Sequence, residues 1–218
     1  MSDARIPPSE RTRLRRLHER GRYDREAVHA ILDATPLAQL GTVVDGSPRV
    51  TPTFQWRAGD RVYWHGSSAS QALRAAEDGE VCLSVCLLDG LVLARSGFFH
   101  SANYRSLTIF GRARKVSDPD EKLARLETFI ERLFPGRWST LRPVTPQELK
   151  ATSVLSLPIE EASAKIRTGP PGDDEPDCSL PVWAGVLPIR MLVEPPLPDP
   201  RMPAGVAEPR YLRTLKLG

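Results

Sequence analysis

Between Leu37 and Ser117 the chain is cut into short runs by turn signals at Asp45-Gly46, Ala58-Gly59-Asp60 and Asp89-Gly90. An Asp-Gly pair supplies the positive φ that a tight hairpin requires. The runs between the turns alternate in polarity or are wholly apolar. LAQLGTVV (37–44), Arg49 to Trp56, RVYWHG (61–66), VCLSVCLL (81–88), LVLA beyond Asp89-Gly90 and SLTIFGRARKVS (106–117) all read as strands. Pro52 within the second run marks an edge, a bulge or a gap where a ligand meets the backbone. Strands joined this tightly pair antiparallel, because a parallel crossover needs a dozen or more residues.

Further on, TSVLSLPI (152–159) and SAKIR (163–167) continue the strand pattern, and PVWAGVLPIR (181–190) is the last structured piece. Helical spacing is confined to the periphery. Asp24 caps a helix over 24–34, Ser68 or Ser70 caps a short one through Ala76 closed by Gly79, and Asp118-Pro119 opens one through Leu133. Gln147 to Lys150 adds a helical turn. Six or seven antiparallel strands with outlying helices predict a mainly β architecture, a barrel or a sandwich. The chain shows no βαβ alternation, no Gly-rich fingerprint and no P-loop, which argues against a Rossmann-type dinucleotide site.

With 218 residues the chain predicts one domain, residues 1–190, followed by a Pro-rich extension over 191–218. A net charge of +3 is too small for a nucleic-acid surface, and the basic stretch Arg11 to Arg22 reads as a solvated helix face. Three cysteines without a pairing or CxxC pattern fit a reducing cytoplasm. No leader is visible, and no apolar run approaches the roughly 18 residues of a membrane span. Neither HExxH nor a Cys/His ligand spacing appears, so no metal site is expected, and GxSxG is missing. Chemistry in such a chain is expected to come from a bound cofactor.

Two stretches carry more donors than turns require. Leu91 to Gly111 holds Arg95, Ser96, His100, Ser101, Asn103, Tyr104, Arg105 and Ser106 between two apolar runs. His65-Gly66-Ser67-Ser68-Ala69-Ser70 joins a strand to a helix through small residues and hydroxyls. Two arginines that fork onto phosphate, with a Ser-rich helix start, predict a phosphate site. Core packing is the ordinary fate of Trp56, Trp64 and Trp138. Trp183, which follows a loop, is the one placed to stack on a planar ring. His100 and Tyr104 are the candidates for proton delivery.

The order of these elements, with YDREAVHAILD, GSPRVTPTFQWRAGDRVYWHGSSAS, DGLVLARSGFFHSANYRSLTIFGRA, ASAKIRTGPPGDD and PVWAGVLPI, resembles the pyridoxamine 5′-phosphate oxidase-like flavin-nucleotide-binding proteins. The nearest branch is the one containing nitroimidazole-resistance proteins, and the likeness spans about residues 10–190. The resemblance implies a split β-barrel, a homodimer, and FMN bound at the subunit interface of an oxidoreductase. It places His65, Gly66, Ser67 and Ser70 beside the phosphate, and Arg95 to Ser106 on a second flavin-contacting segment. Pro52 and Thr53 fall on the strand facing the ring, Trp183 reaches in from the partner subunit, and Lys165 and Arg167 stand near the site. Gln71 stands where the oxidases tend to carry Lys, a lost charge that Arg95 or Arg105 would supply. The oxidases' substrate-binding arginine motif is not evident in the tail. Split barrels also hold deazaflavin F420 or haem, for which His65 or His100 would be the axial ligand, and a flavin-binding sensor without turnover is the non-enzymatic alternative.

Overall fold

The computed structural model describes residues 5–218. The expected domain over 1–190 therefore begins outside the described residues. The elements are β1 (Gly21–Arg22), α1 (Arg25–Asp33), β2 (Leu37–Val44), β3 (Ser47–Ala58), β4 (Arg61–Ser67), α2 (Gln71–Ala76) and β5 (Glu80–Leu93). They continue as β6 (Ser101–Arg112), β7 (Arg114–Lys115), α3 (Pro119–Leu133), α4 (Pro146–Ala151), β8 (Thr152–Pro158), β9 (Glu161–Arg167) and β10 (Gly185–Pro188). Short 3₁₀ turns fill the connections, and 191–218 carries no strand or α-helix.

All pairings are antiparallel, in the order β1-β9-β6-β5-β2-β3-β4-β8-β7, with β10 added to β5. One core cluster takes Leu40, Trp64, Leu83, Ile109, Leu157 and Ala164 from six strands of that order, so the sheet wraps round it. Its first and last strands do not pair with each other, which leaves the barrel split. α1 packs Val28, Ile31 and Leu32 into the same core. The helix starts follow the capping residues. The side chains of Asp24, Ser70 and Asp118 each accept a backbone N–H of the first turn.

Asp45 and Gly46 both have positive φ, at 50° and 74°, and close the β2–β3 hairpin as the dipeptide predicts. Asp89-Gly90 does not turn the chain. β5 runs straight through it with a bulge between Leu88 and Gly90. Here glycine answers a close approach: a Cβ on Gly90 would lie 2.9 Å from the carbonyl oxygen of Leu187 in β10.

The N-terminal stretch also departs from expectation. Arg11 to Arg22 is no solvated helix face; it holds only turns, a three-residue 3₁₀ segment and β1. Ile6 and Thr12 are buried. Arg11 donates to Glu80 at 3.2 Å and to Glu161 at 2.5 Å, and lies 5.0 Å from the Phe110 ring centre. The chain end is tied back as well, with Gly218 N–H donating to Ala34 O at 2.8 Å and Arg137 to the Tyr211 hydroxyl at 2.9 Å. No helix among the described residues is long and apolar enough to cross a membrane.

Candidate functional site

β4 has two faces of opposite use. Val62 and Trp64 enter the main core, while Tyr63 joins Trp56, Val116 and Val154 in a second cluster beneath Leu126 and Phe129 of α3. The period-2 alternation puts His65 on that second face. Its ring centre lies 5.1 Å from Phe129 and 5.7 Å from Trp56. It makes no hydrogen bond among the described residues, and its Nδ1 is buried without a partner. Burial pushes the imidazole pKa below its ordinary value, so the ring is neutral at pH 7.

His65 lines a cleft of ≈ 530 Å³ between α3, the 134–145 connection and α4. Ile130, Trp138, Leu141, Val144 and Leu149 make its apolar walls, and Arg142 and Glu148 are the charged residues on its lining. Arg142 forks onto Glu148, with Nη1 to Oε2 at 2.9 Å. Glu148 is fixed from behind as well, because it belongs to the capping box of α4 and accepts from the Thr145 N–H at 2.9 Å. Arg142 first, then these Thr145 donors, hold the Glu148 carboxyl down at about 2. Lys122 of α3 ties the far wall, donating to Leu149 O at 2.7 Å and Thr152 O at 2.8 Å. A neutral imidazole on a mainly apolar wall is a ready metal ligand. The resemblance sets His65 at the phosphate turn or, as the alternative, on a haem; its side chain lines this cleft, which the linear sequence does not reveal because β4, α3 and α4 meet only in three dimensions.

The rest of the predicted turn lies at the end of β4. Gly66 faces inward, where a Cβ would meet the Leu73 methyls at 3.2 and 3.3 Å. Ser67 Oγ accepts from Ala69 N–H at 3.2 Å, and Ser70 caps α2. Gln71 Oε1 accepts from Arg49 Nη1 at 2.9 Å, and Arg74 Nη2 donates to Ala69 O at 2.8 Å. Arg49 and Arg74 thus bring positive charge to this turn. Neither is singled out by the sequence, since Arg49 arrives from the start of β3, 22 residues away.

The second predicted segment is organised around its own carboxylates. Arg95 N–H and Nη1 donate to Asp173 at 3.0 and 2.9 Å. Arg105 forks onto Asp89 at 2.9 and 2.7 Å. Arg167 is buried; it donates to the Asn103 side chain and to Pro170 O at 3.0 Å, while Asn103 Nδ2 donates to Gly169 O at 3.1 Å. The pair clamps the Gly-Pro-Pro-Gly loop. Ser96 Oγ accepts from Phe98 N–H, His100 Nδ1 lies 3.0 Å from Ser96 O, and Ser106 Oγ donates to Lys165 O at 3.2 Å. Ser101 pairs with Val92, and Tyr104 with Leu88 and Arg167. Trp183 is 64% exposed. Pro52 and Thr53 pair with Gln39 and Ala38 of β2.

Within one chain these groups do not converge. The turn at Ser67–Ser70 lies near the start of β5, and Arg95–Ser101 lies beyond its end. β5 has 14 residues, which at about 3.3 Å each puts roughly 45 Å of strand between them. Arg105 and Ser106 sit halfway along β6, which β5, β2 and β3 separate from β4. Pro52 belongs to an outward patch instead. Val50 (71% exposed), Phe54 (48%), Leu37 (49%) and Val43 (64%) flank it on the β2–β3 ladder. The same face of β3 continues to Trp56, where α3 covers it.

The fold has counterparts among known proteins. The family model described as pyridoxamine 5′-phosphate oxidase matches residues 24–166. A flavocytochrome from Azotobacter vinelandii is 54% identical, over 97% of this chain and 99% of that one, with a TM-score of 0.94. An FAD and haem binding protein from Mycobacterium smegmatis is 37% identical, over 90% of this chain and 97% of that one, with a TM-score of 0.86. A putative 5-nitroimidazole antibiotic resistance protein from Bacteroides thetaiotaomicron shares the fold alone, at 17% identity over 67% of this chain and 86% of that one, with a TM-score of 0.56. No curated protein matches. With the split antiparallel barrel, the capped peripheral helices and a family match across most of the sheet, the chain belongs to the pyridoxamine 5′-phosphate oxidase family.

Proposed function

We propose that this protein is an oxidoreductase that binds a flavin nucleotide and a haem, the haem in the His65 cleft. The observation that carries the reading is the His65 ring, neutral and without a hydrogen bond, on the wall of an apolar cleft. A planar, largely apolar macrocycle would suit such walls, and His65 would be the residue that holds its iron. The names of the two relatives above 30% identity, a flavocytochrome and an FAD and haem binding protein, support the same pair of cofactors. When bound, the flavin supplies hydride and single-electron chemistry and the haem single-electron chemistry.

For the flavin, FAD is favoured by the Mycobacterium smegmatis relative. FMN, implied by the sequence resemblance, shares its ring, ribityl chain and first phosphate, so one set of contacts serves either. Ser67, Ser70, Arg49 and Arg74 would hold that phosphate, and the outward face at Pro52 would back the ring. Arg95 to Ser101 and Trp183 lie far along the barrel from them, and Arg105 and Ser106 lie across β5, β2 and β3, so these groups would come from a second copy. His100 and Tyr104 would then deliver protons at that interface, while Asn103 and Arg167 keep its loop in place. The free thiols of Cys82, Cys86 and Cys178 suit the cytoplasm.

The absorption spectrum of the protein as isolated, and after addition of ferric haem, tests the reading. A Soret band is expected in wild type and its loss in His65→Ala, with far-UV circular dichroism unchanged. An equally intense and unshifted Soret band in His65→Ala would remove His65 as the ligand.

A further inference from the structure

We infer that Arg142 selects a cleft ligand carrying a free carboxylate at its edge, and that Glu148 holds the place of that carboxylate until the ligand arrives. The inference rests on the haem reading above and adds to it the residues that choose among porphyrins.

Arg142 is the only arginine or lysine on the cleft lining among the described residues. Its guanidinium is not committed to the fold. It bonds to Glu148 and to Pro143 O at 3.0 Å, and its side chain is 67% exposed. An exposed pair of this kind adds little stability, so exchanging one carboxylate for another costs little. Arg suits the exchange, because its planar fork takes a carboxylate through two parallel hydrogen bonds. Glu148 differs from its partner. It stays anchored when Arg142 leaves, since Thr145 N–H and Oγ1 donate to Oε2 at 2.9 and 3.0 Å. The two residues therefore separate in role: one moves to the ligand, the other remains and competes with it.

That asymmetry gives the sign of each substitution. Removing the charge of Glu148 while keeping its cap contacts, as in Glu148→Gln, frees Arg142 and lifts a repulsion from an incoming carboxylate. Removing the guanidinium, as in Arg142→Gln, leaves Glu148 facing that carboxylate alone. Arg142→Lys keeps the charge without the fork and should fall between.

The test is a titration of the haem-free full-length protein with ferric protoporphyrin IX and with its dimethyl ester, read at the Soret band. Wild type is expected to prefer the diacid by about tenfold to a hundredfold, the range of a charge-assisted hydrogen bond. Arg142→Gln should lose that preference, Arg142→Lys should recover part of it, and Glu148→Gln should bind the diacid more tightly than wild type does. Equal affinity for both porphyrins in wild type, or a preference untouched by Arg142→Gln, would overturn the role of Arg142 while leaving the haem reading intact. Unchanged or weaker diacid binding by Glu148→Gln would overturn the competition. Failure of wild type to bind either porphyrin would overturn the haem reading and this inference together.

Discussion

His65 shows how a single position acquires chemistry from its neighbours. Trp56 and Phe129 flank the ring, no donor or acceptor among the described residues satisfies it, and burial holds it in the neutral form. The folded pKa is therefore depressed below the unfolded one, near 6.5. Above that value both states are neutral and His65 makes no pH-dependent contribution. As pH falls below it, the unfolded chain takes up a proton that the folded chain refuses, and stability drops. The haem-free protein is thus expected to melt at lower temperature as pH falls from 7 towards 5. His65→Leu should show a shallower fall over the same window in thermal melts. Identical slopes for the two proteins would show that the ring titrates freely in the folded state. His29, whose pKa is lowered chiefly by burial, supplies part of the slope that remains.

At the scale of the element, local chemistry was legible and long-range approach was not. Asp24, Ser70 and Asp118 mark their helix starts in sequence because a cap acts over three residues. The hairpin at Asp45-Gly46 was equally readable, since the turn itself demands positive φ. Asp89-Gly90 carries the same letters for another reason. Its glycine makes room for the backbone of β10, which arrives from about a hundred residues further along, and its aspartate takes the fork of Arg105. Arg11 is similar, with partners 69 and 150 residues away. The His65 cleft is hidden for the same cause, as β4 and the distant stretch 126–152 build it together. Gly90→Ala tests this account of the bulge. A Cβ pressed against the Leu187 carbonyl should cost about 1–3 kcal/mol and release β10 first. Hydrogen exchange should then quicken over Gly185–Pro188 while the core strands keep their protection; uniform protection throughout would mean that the contact is absorbed without displacement.

Across the whole molecule, the barrel keeps the phosphate turn and the Arg95–Ser101 segment at opposite ends of β5, so one flavin can touch both only between two chains. The uncovered β2–β3 face, with Val50 and Phe54 beside Pro52, is the surface that pairing would bury. Val50→Asp places a charge at its most exposed apolar position. The variant is expected to run as a monomer in light scattering and to retain no flavin, yet to take up haem as wild type does. A monomeric wild type that holds flavin, or a Val50→Asp monomer that keeps it, would place the flavin within one chain.

Phe129 stands between these two regions, 5.8 Å from Phe54 on the outer face and 5.1 Å from His65 in the cleft. The ring of Phe129 is thus the wall between the cleft and the outer β2–β3 face. In a lone chain, Phe54 beside that wall is half-exposed to water; a second chain seated on the β2–β3 face would cover it. Drying one side of a ring stack lowers the local dielectric, and a change of charge inside then becomes costlier. If two chains pair over that face as proposed, the insulation around whatever His65 holds would be a property of the pair, and dilution alone would alter it.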